Sequence, residues 1–230
     1  MKPDYVYDLN DCQFDEDFQM GVVISINKSK TIVHCGLAYN LIDGIEVLHL
    51  FNKIQHDCSK GRFMCIIRPS MNSIQQKAVI PLLEVIAKKV DDKQFNMSYG
   101  FKYDEYSYFD KEKGFVLGKD TSGFTCATFV LTLFRTFGME LIDLESWPSR
   151  AEDSEWERRT KQCCYNLKGF NDITRDQILK MEKEIGCKRY CPHEVAVSSA
   201  LHSGGPASSD IIIKEGENLY DYLISMIDNN

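Results

Sequence analysis

Four short apolar runs rich in β-branched residues lie close together in the first third of the chain, and they decide much of what it can fold into. The runs are bounded by turn residues and cover residues 21–27, 31–39, 45–51 and 62–69. Because all four are short and adjacent, they predict an antiparallel sheet. Asp43 and Gly44, between the second and third runs, favour a hairpin at that point.

The periodicity becomes helical after this region. Residues 73–90 carry apolar side chains on one helical face, and Pro81 either kinks this helix or marks a late start. Residues 125–137 predict a more apolar helix that ends at Gly138. The charged stretch 147–160 predicts a solvated surface segment. Three further helices are predicted at residues 173–185, 193–205 and 218–230.

The composition is that of a folded protein with a sizeable core. Of 230 residues, 43% are hydrophobic and 27% are charged, which excludes wholesale disorder. The net charge of −7 and the lack of a Lys/Arg cluster make nucleic acid a poor candidate partner. The chain has nine cysteines, and an odd number cannot all pair in disulfides within one chain. The acidic start does not resemble a signal peptide, and no apolar run is long enough to span a membrane. We therefore expect a cytoplasmic protein with free thiols and no transmembrane segment.

Cys126 is the residue that most directly suggests chemistry. It lies at the first turn of the helix predicted at 125–137, where unpaired N–H groups and the helix dipole favour a thiolate. The same N–H groups can bind the oxyanion that forms when a thiolate attacks a carbonyl. A buried cysteine that only packs as a small apolar residue is the alternative interpretation.

His34 is the candidate base for this nucleophile. It lies among apolar residues in a predicted strand, and Gly36 indicates close approach of another backbone or a bulge. A thiol nucleophile needs an imidazole to exchange its proton, and the imidazole needs a third group to fix its tautomer. A core histidine bonded to backbone is the alternative. Cys35 faces the opposite side of a regular strand, so we expect it in the core or at the surface and outside catalysis.

Glu46 and His49, on the next predicted strand, are the candidates for the third group. If the hairpin turns near residues 42 and 43, the numbers of paired residues sum to about 85, and His34 faces residue 51. His49 is nearer to that point than Glu46, so the register favours His49. A carboxylate would hold the imidazole more strongly, and both residues remain candidates.

The order of these segments resembles that of a known family. The matching segments are VHCGLAY at 33–39, IEVLHL at 45–50, IIRP at 66–69, YGFKYD at 99–104 and GFTCATFVLTLFRTFG at 123–138. Histidine-bearing strands that precede a cysteine-bearing helix resemble the circularly permuted branch of the NlpC-type papain-like superfamily, the relatives of lecithin retinol acyltransferase.

For the fold, the resemblance implies an α+β protein of the papain-like, permuted NlpC type, in which an antiparallel sheet packs on the cysteine-bearing helix. It divides the chain into an acidic lead-in at 1–20, a catalytic core at 20–145 and a helical C-terminal extension at 146–230. The extension, which the resemblance does not cover, is expected to pack on the core.

For function, the resemblance implies a thiol hydrolase (a peptidase or amidase) or an acyltransferase that works through a thioester intermediate. Cys126 is then the nucleophile, His34 the base and His49 the third residue, with Glu46 as the alternative. The expected substrate is a peptide, an amide-linked compound or an acyl compound, and no cofactor is expected. A non-catalytic binding protein that retains the fold is the competing hypothesis.

Two further groups of residues have open roles. The aromatic segment 95–109 includes Tyr99 and Tyr103, which either line a substrate groove beside the cysteine-bearing helix or pack on the sheet. A second group contains zinc-ligating residue types, although it lacks the usual Cys-x2-Cys spacing, and incidental buried thiols are the simpler interpretation. This group is Cys163, Cys164, Cys187, Cys191 and His193.

Overall fold

The structure, a computed structural model, is built around an antiparallel sheet. It describes residues 2–9, 18–41, 44–51, 53–57, 63–93, 97–166 and 174–228. The strands of the main sheet are β1 (Val6–Asp8), β2 (Met20–Ile26), β3 (Val33–Leu41), β4 (Gly44–Phe51), β5 (Lys53–Asp57) and β6 (Cys65–Ile67). Their order across the sheet is β1-β6-β2-β3-β4-β5, and each pair of neighbours is antiparallel. A small second sheet pairs β7 (Tyr108–Asp110) with β8 (Gly114–Val116).

Six helices accompany the sheets in the described part of the chain. They are α1 (Ser73–Asp91), α2 (Cys126–Thr136), α3 (Asp153–Asn166), α4 (Arg175–Lys183), α5 (Pro192–Leu201) and α6 (Ser209–Asp228). The prediction of an α+β protein with an antiparallel sheet is therefore confirmed. None of these described helices is long and apolar enough to cross a membrane.

The predicted hairpin is formed by β3 and β4. Gly36 pairs with His49 and Tyr39 pairs with Glu46, so the numbers of paired residues sum to 85. This register is the one that the sequence predicted. Asp43, which marked the turn, lies outside the described residues.

Two strands of the main sheet have no counterpart in the sequence prediction. β1 lies within the segment expected to be an acidic lead-in, yet Val6 pairs with Ile67 and is 2% exposed. β5 follows β4 as a polar edge strand in which Ile54 is buried. Both strands are too short and too polar to show the alternation that identifies a strand, and their pairing partners stabilise them instead.

The central strand β3 separates two sets of apolar residues. Cys35, Leu37 and Tyr39 contribute to the larger core, in which α2 and α5 pack against the sheet. Ala38 contributes to a smaller cluster with Val47 of β4. This division follows from the two-residue period of a strand. It places α2, with Cys126 at its start, directly against β3 and β4.

The helix α1 runs through Pro81 and starts where the apolar pattern starts. Asn72 caps it, since its side chain accepts from the Gln75 backbone N–H at 2.9 Å. Gln76 ties the helix to the sheet, because its side-chain oxygen accepts from the Met20 N–H at 3.1 Å. The alternative of a late start at the proline is therefore wrong.

Residues 147–160 are only in part the solvated segment that their charge predicts: Glu152, Glu155 and Arg159 are exposed, but other residues are buried. Trp147 is 2% exposed, and Glu157, on α3, is 0% exposed. The Trp147 indole N–H donates to the Arg189 carbonyl at 3.0 Å, and Glu157 accepts from the Gly186 backbone N–H. Charged residues can be buried where hydrogen bonds satisfy them, which composition alone does not reveal.

The last three helices lie in the regions that the sequence predicted. α4 falls within the predicted helix at 173–185, whose first residue is outside the described chain. α5 falls within 193–205 apart from its first residue, and α6 starts earlier than the predicted helix at 218–230. α5 packs on β2 and β3, and α6 packs on α5.

Candidate active site

Cys126 is the first residue of α2, and the local sequence determines this position. Thr125 caps the helix: its hydroxyl accepts from the Thr128 backbone N–H at 3.1 Å, and the Thr128 hydroxyl accepts from the Thr125 N–H at 2.8 Å. Every residue from Cys126 to Phe134 is buried. Cys126 keeps a small exposed surface, 8% of the residue. Packing in the core thus fixes the position of α2, and Cys126 lies at the edge of that core.

The ladder between β3 and β4 ends beside Cys126. Among the described residues, the last pair of this ladder is Gly36 with His49, although β3 itself begins earlier. His34 and Cys35 therefore lie beyond the ladder, and both are close enough to Cys126 to lower the pKa of its thiol. His34 acts through its ring, and Cys35 acts through its backbone N–H and its thiol.

The glycine at position 36 allows the two strands to approach each other at this point. A Cβ on Gly36 would lie 2.6 Å from the Cβ of His49 and 2.7 Å from the Leu48 carbonyl oxygen. Real side chains do not tolerate such distances, so any larger residue forces the strands apart. The close approach that this glycine predicted is confirmed.

The surroundings of Cys126 favour its thiolate form. The hydrogen bond from the Cys35 thiol lowers the pKa of Cys126, whereas burial penalises the charge and raises it. The charge and hydrogen bond of His34, with the backbone N–H of Cys35, lower it further. The pKa of Cys126 therefore lies well below the ordinary value for a thiol. Burial and the contact with Cys126 raise the pKa of Cys35 well above that value, so Cys35 keeps its proton.

His49 holds the ring of His34. Nε2 of His34 lies 2.9 Å from Nδ1 of His49, and the two rings meet edge to face with centroids 5.0 Å apart. Phe63 stacks on the His34 ring with a centroid distance of 5.8 Å, and Phe51 meets its edge at the same distance. His49 itself is 1% exposed. The position of the His34 imidazole is thus determined by packing as well as by a hydrogen bond.

Glu46, the alternative candidate for the third group, contacts a different histidine. Its carboxylate contacts Nε2 of His56 of β5, and the other ring nitrogen of His56 lies 3.0 Å from Asp91. The structure therefore places His49, and not Glu46, beside His34. The hairpin register alone was enough to favour this outcome.

Tyr99 lies next to the start of α2. It pairs with Phe124 in an isolated parallel bridge, two residues before Cys126. Burial raises the pKa of Tyr99 above its ordinary value, and the nearby charge of Cys126 raises it further. Tyr99 is therefore in place to contact a group bound at Cys126.

Tyr103 lies away from Cys126, towards the other end of α2. Its chain segment continues to Phe109, whose N–H donates to the Thr136 hydroxyl at the last residue of that helix, at 3.0 Å. The Tyr103 ring packs on Tyr190 with centroids 5.5 Å apart, and burial raises its pKa. The structure therefore places Tyr99, and not Tyr103, beside the start of α2.

Cys35 is the neighbour of the site that sequence reasoning missed. Strand alternation correctly placed it on the face opposite His34, in the larger core. The sequence did not reveal that α2 begins where the β3–β4 ladder ends, so that residues from both faces of β3 affect the pKa of Cys126. No local signal in the sequence reports such a junction between distant segments.

The cysteines considered as zinc ligands are spread over several places. Cys163 is exposed on α3, whereas Cys164 and Cys187 pack around Met181 of α4 in a small apolar cluster. Cys191 is the N-cap residue of α5. These four thiols therefore do not form one group.

One group with metal-ligating atoms does occur among the described residues. Ligand atoms of Cys191, His193 and Glu194 all lie within 4.8 Å of one another. Arg150, however, donates to the Cys191 sulfur at 3.4 Å and to the Glu194 carboxylate at 2.7 Å. The guanidinium already supplies the positive charge that a metal ion would bring. We therefore assign this group to a buried ion pair.

Comparison with known proteins adds no relative. No family model, curated protein or solved structure matches the chain. We therefore infer the function from the geometry of the site and from the order of the segments that form it.

Proposed function

We propose that the chain is a cysteine-dependent hydrolase or acyltransferase with Cys126 as nucleophile, His34 as base and His49 as the orienting residue. The observation that carries this proposal is the convergence of the three side chains from α2, β3 and β4. The order of these elements also supports the finer fold assignment, a permuted papain-like fold of the NlpC type with the histidine strands before the cysteine helix.

The contact between the two histidines supports one protonation pattern. If Nε2 of His34 donates its proton to Nδ1 of His49, then Nδ1 of His34 carries no proton and can accept one. That nitrogen takes the proton of the Cys126 thiol and leaves a thiolate beside an imidazolium. His49 stabilises the imidazolium because it accepts a hydrogen bond from the charged ring.

The proposed reaction is acyl transfer in two stages. The Cys126 thiolate attacks the carbonyl carbon of an amide, ester or thioester, and the electron pair moves to oxygen, where backbone N–H groups of the first turn of α2 stabilise it. When the carbonyl re-forms, the bond to the leaving group breaks and His34 protonates that group. Water or a second acceptor, deprotonated by His34, then attacks the thioester and releases Cys126.

The residues around the pair suit a substrate with an apolar part next to the bond that breaks. Phe51, whose ring meets His34, is 54% exposed, and Ile32, two residues before His34, is 59% exposed. An acyl chain or an apolar peptide side chain would cover them. The described cysteines are free thiols, as this chemistry requires, and a reducing compartment such as the cytoplasm suits them.

A non-catalytic binding protein is the second candidate, and one observation favours it. Cys126 is only 8% exposed, so a bulky substrate reaches the sulfur only if the surrounding surface opens. If the surface does not open, Cys126, His34 and His49 only stabilise the fold, and no covalent intermediate forms at Cys126.

Trapping the acyl-enzyme separates these two candidates. Purified protein is mixed with activated acyl esters and peptidyl esters, and the adduct is located by mass spectrometry of its peptides. We expect an acyl group on Cys126 that disappears in Cys126→Ala. Cys163→Ala, which removes an exposed thiol of α3, is the matched control and should keep the adduct. No adduct on the wild-type Cys126, or equal labelling of Cys126→Ala, contradicts the proposed activity and leaves the binding protein.

A further inference from the structure

Glu184 connects two chain segments that meet beside Cys126, although it belongs to the C-terminal third of the chain. It is the C-cap residue of α4 and is 5% exposed. Its Oε1 accepts from the Ser122 backbone N–H at 2.6 Å. Its Oε2 accepts from the N–H of Phe101 at 2.7 Å and from that of Lys102 at 3.3 Å. One carboxylate thus bonds to the backbones of both segments.

These two segments carry residues of the proposed site. Ser122 precedes Cys126 by four positions, and Phe101 follows Tyr99 by two. The carboxylate therefore bonds to the two segments within a few residues of Cys126 and of Tyr99. Any movement at this carboxylate is transmitted over only a few residues to both of them.

The two segments are packed too tightly to adjust independently. The Phe124 N–H donates to the Ser98 carbonyl at 3.1 Å, and the Gly100 N–H donates to the Phe124 carbonyl at 3.2 Å. A Cβ on Gly123 would lie 1.9 Å from the Ser98 carbonyl oxygen. Glycine is therefore required at position 123, and the backbone pair that ends at Cys126 acts as one rigid unit.

The contacts at position 184 require a carboxylate. Burial of a charge is costly, and here three backbone donors offset that cost. A carboxylate accepts hydrogen bonds on both oxygens, whereas a glutamine accepts on one oxygen and turns an NH₂ group towards a backbone N–H. Glutamine at 184 would therefore bond to one segment and repel the other.

We propose that Glu184 is a positioning residue for the nucleophile: it fixes the backbone on which Cys126 and Tyr99 lie and so keeps the Cys126 sulfur in contact with His34. This inference rests on the proposed function, and it assigns a role to the C-terminal third, which the family resemblance did not cover. Glu184 acts only through the backbone of the two segments.

The test measures alkylation of Cys126 by iodoacetamide as a function of pH, with the Cys126 peptide quantified by mass spectrometry. In Glu184→Gln, Cys126 should move away from His34 and Cys35. The pKa of the Cys126 thiol should therefore rise. We expect about tenfold slower alkylation at about pH 6, the change that follows from a rise of one pH unit in a thiol pKa.

Glu194→Gln is the matched control for this variant. Glu194 is also a buried carboxylate of the C-terminal third, at 3% exposed, and it accepts from the Cys191 backbone N–H and from the Arg150 guanidinium. Its replacement should lower the urea midpoint in the same way as Glu184→Gln. A purely structural role for Glu184 would give both variants the same alkylation profile as the wild type.

The outcomes separate this inference from the proposed function. If the wild-type thiol reacts at low pH and Glu184→Gln keeps that profile, the positioning role is wrong and the proposed function is unaffected. If the wild-type Cys126 does not react at low pH, the proposed function itself is contradicted. Should Glu184→Gln fail to fold, Glu184→Asp replaces it; its shorter carboxylate cannot reach both segments, so we expect a smaller loss in the same direction.

Discussion

Two residues lower the pKa of the Cys126 thiol: Cys35 acts through its thiol and its backbone N–H, and His34 acts through its ring. The Cys35 thiol has the largest effect on the pKa, ahead of the charge of His34. Cys35 and Cys126 are both buried, yet burial raises the pKa of Cys35 and is outweighed at Cys126. Cys35 therefore acts as a neutral donor that stabilises the charge on its neighbour.

Replacement of Cys35 tests this donor directly. In Cys35→Ala the Cys126 thiolate loses a hydrogen bond of the kind worth about 1.5–3 kcal/mol to a charged group, so its pKa should rise by about one to two pH units. Cys35→Ser keeps a donor at the same place and should shift it far less. The pH at half-maximal alkylation of Cys126 reports both values. Identical profiles for the alanine and serine variants would show that the thiol is not the donor.

At this scale the sequence predicted the candidate residues better than their surroundings. Cys126 and His34 were chosen from local chemistry, and hairpin register favoured His49 over Glu46, in agreement with the observed geometry. The register of the β3–β4 hairpin could be predicted because it depends on a single short turn. The contact of Cys35 with Cys126 depends on the meeting of β3 and α2, which no local pattern specifies.

The approach of β3 to β4 is what brings His49 within reach of His34. Gly36 permits it, because a Cβ there would lie 2.6 Å from the Cβ of His49. The two strands hold the histidines at a fixed offset, and the end of their ladder leaves room for the start of α2.

Gly36→Ala should therefore disturb both stability and the site. We expect a loss of about 2 kcal/mol in the free energy of unfolding, because the added methyl group forces the backbones apart. Alkylation of Cys126 at low pH should fall as His49 moves away from His34. Urea denaturation and the alkylation assay measure the two effects.

Gly205→Ala is the control for this substitution. A Cβ at position 205 would meet no atom within 4 Å, so stability should change by no more than about 0.5 kcal/mol. Equal behaviour of the two alanine variants would contradict the view that the close approach of β3 and β4 positions the histidines.

The elements that the sequence predicted are those with strong local patterns. The apolar run at 125–137 became α2, and the β-branched runs became β2, β3 and β4 within a few residues of their predicted bounds. β1 and β5 were not predicted because their stability comes from pairing with distant strands. α3 was not predicted because its charged residues are satisfied by partners far away in sequence, such as Gly186 for Glu157.

Over the whole molecule, the C-terminal third packs on the sheet and bonds to the segments around Cys126. α5 packs on β2 and β3, and a buried ion pair between Arg150 and Glu194 ties the start of this third to α5. Glu184 reaches the segments that lead to Cys126. Such contacts between distant segments cannot be inferred from sequence periodicity.

The proposed reaction depends on proton exchange between the Cys126 sulfur and the His34 imidazole, and the pH profile of Cys126 alkylation measures it. Alkylation of Cys126 is followed over a wide pH range in the wild type and in His34→Ala. We expect half-maximal alkylation of the wild type well below about pH 8.5, the ordinary value for a thiol pKa, and a midpoint at clearly higher pH in His34→Ala. A wild-type midpoint at or above that value, or a midpoint that His34→Ala leaves unchanged, would contradict it.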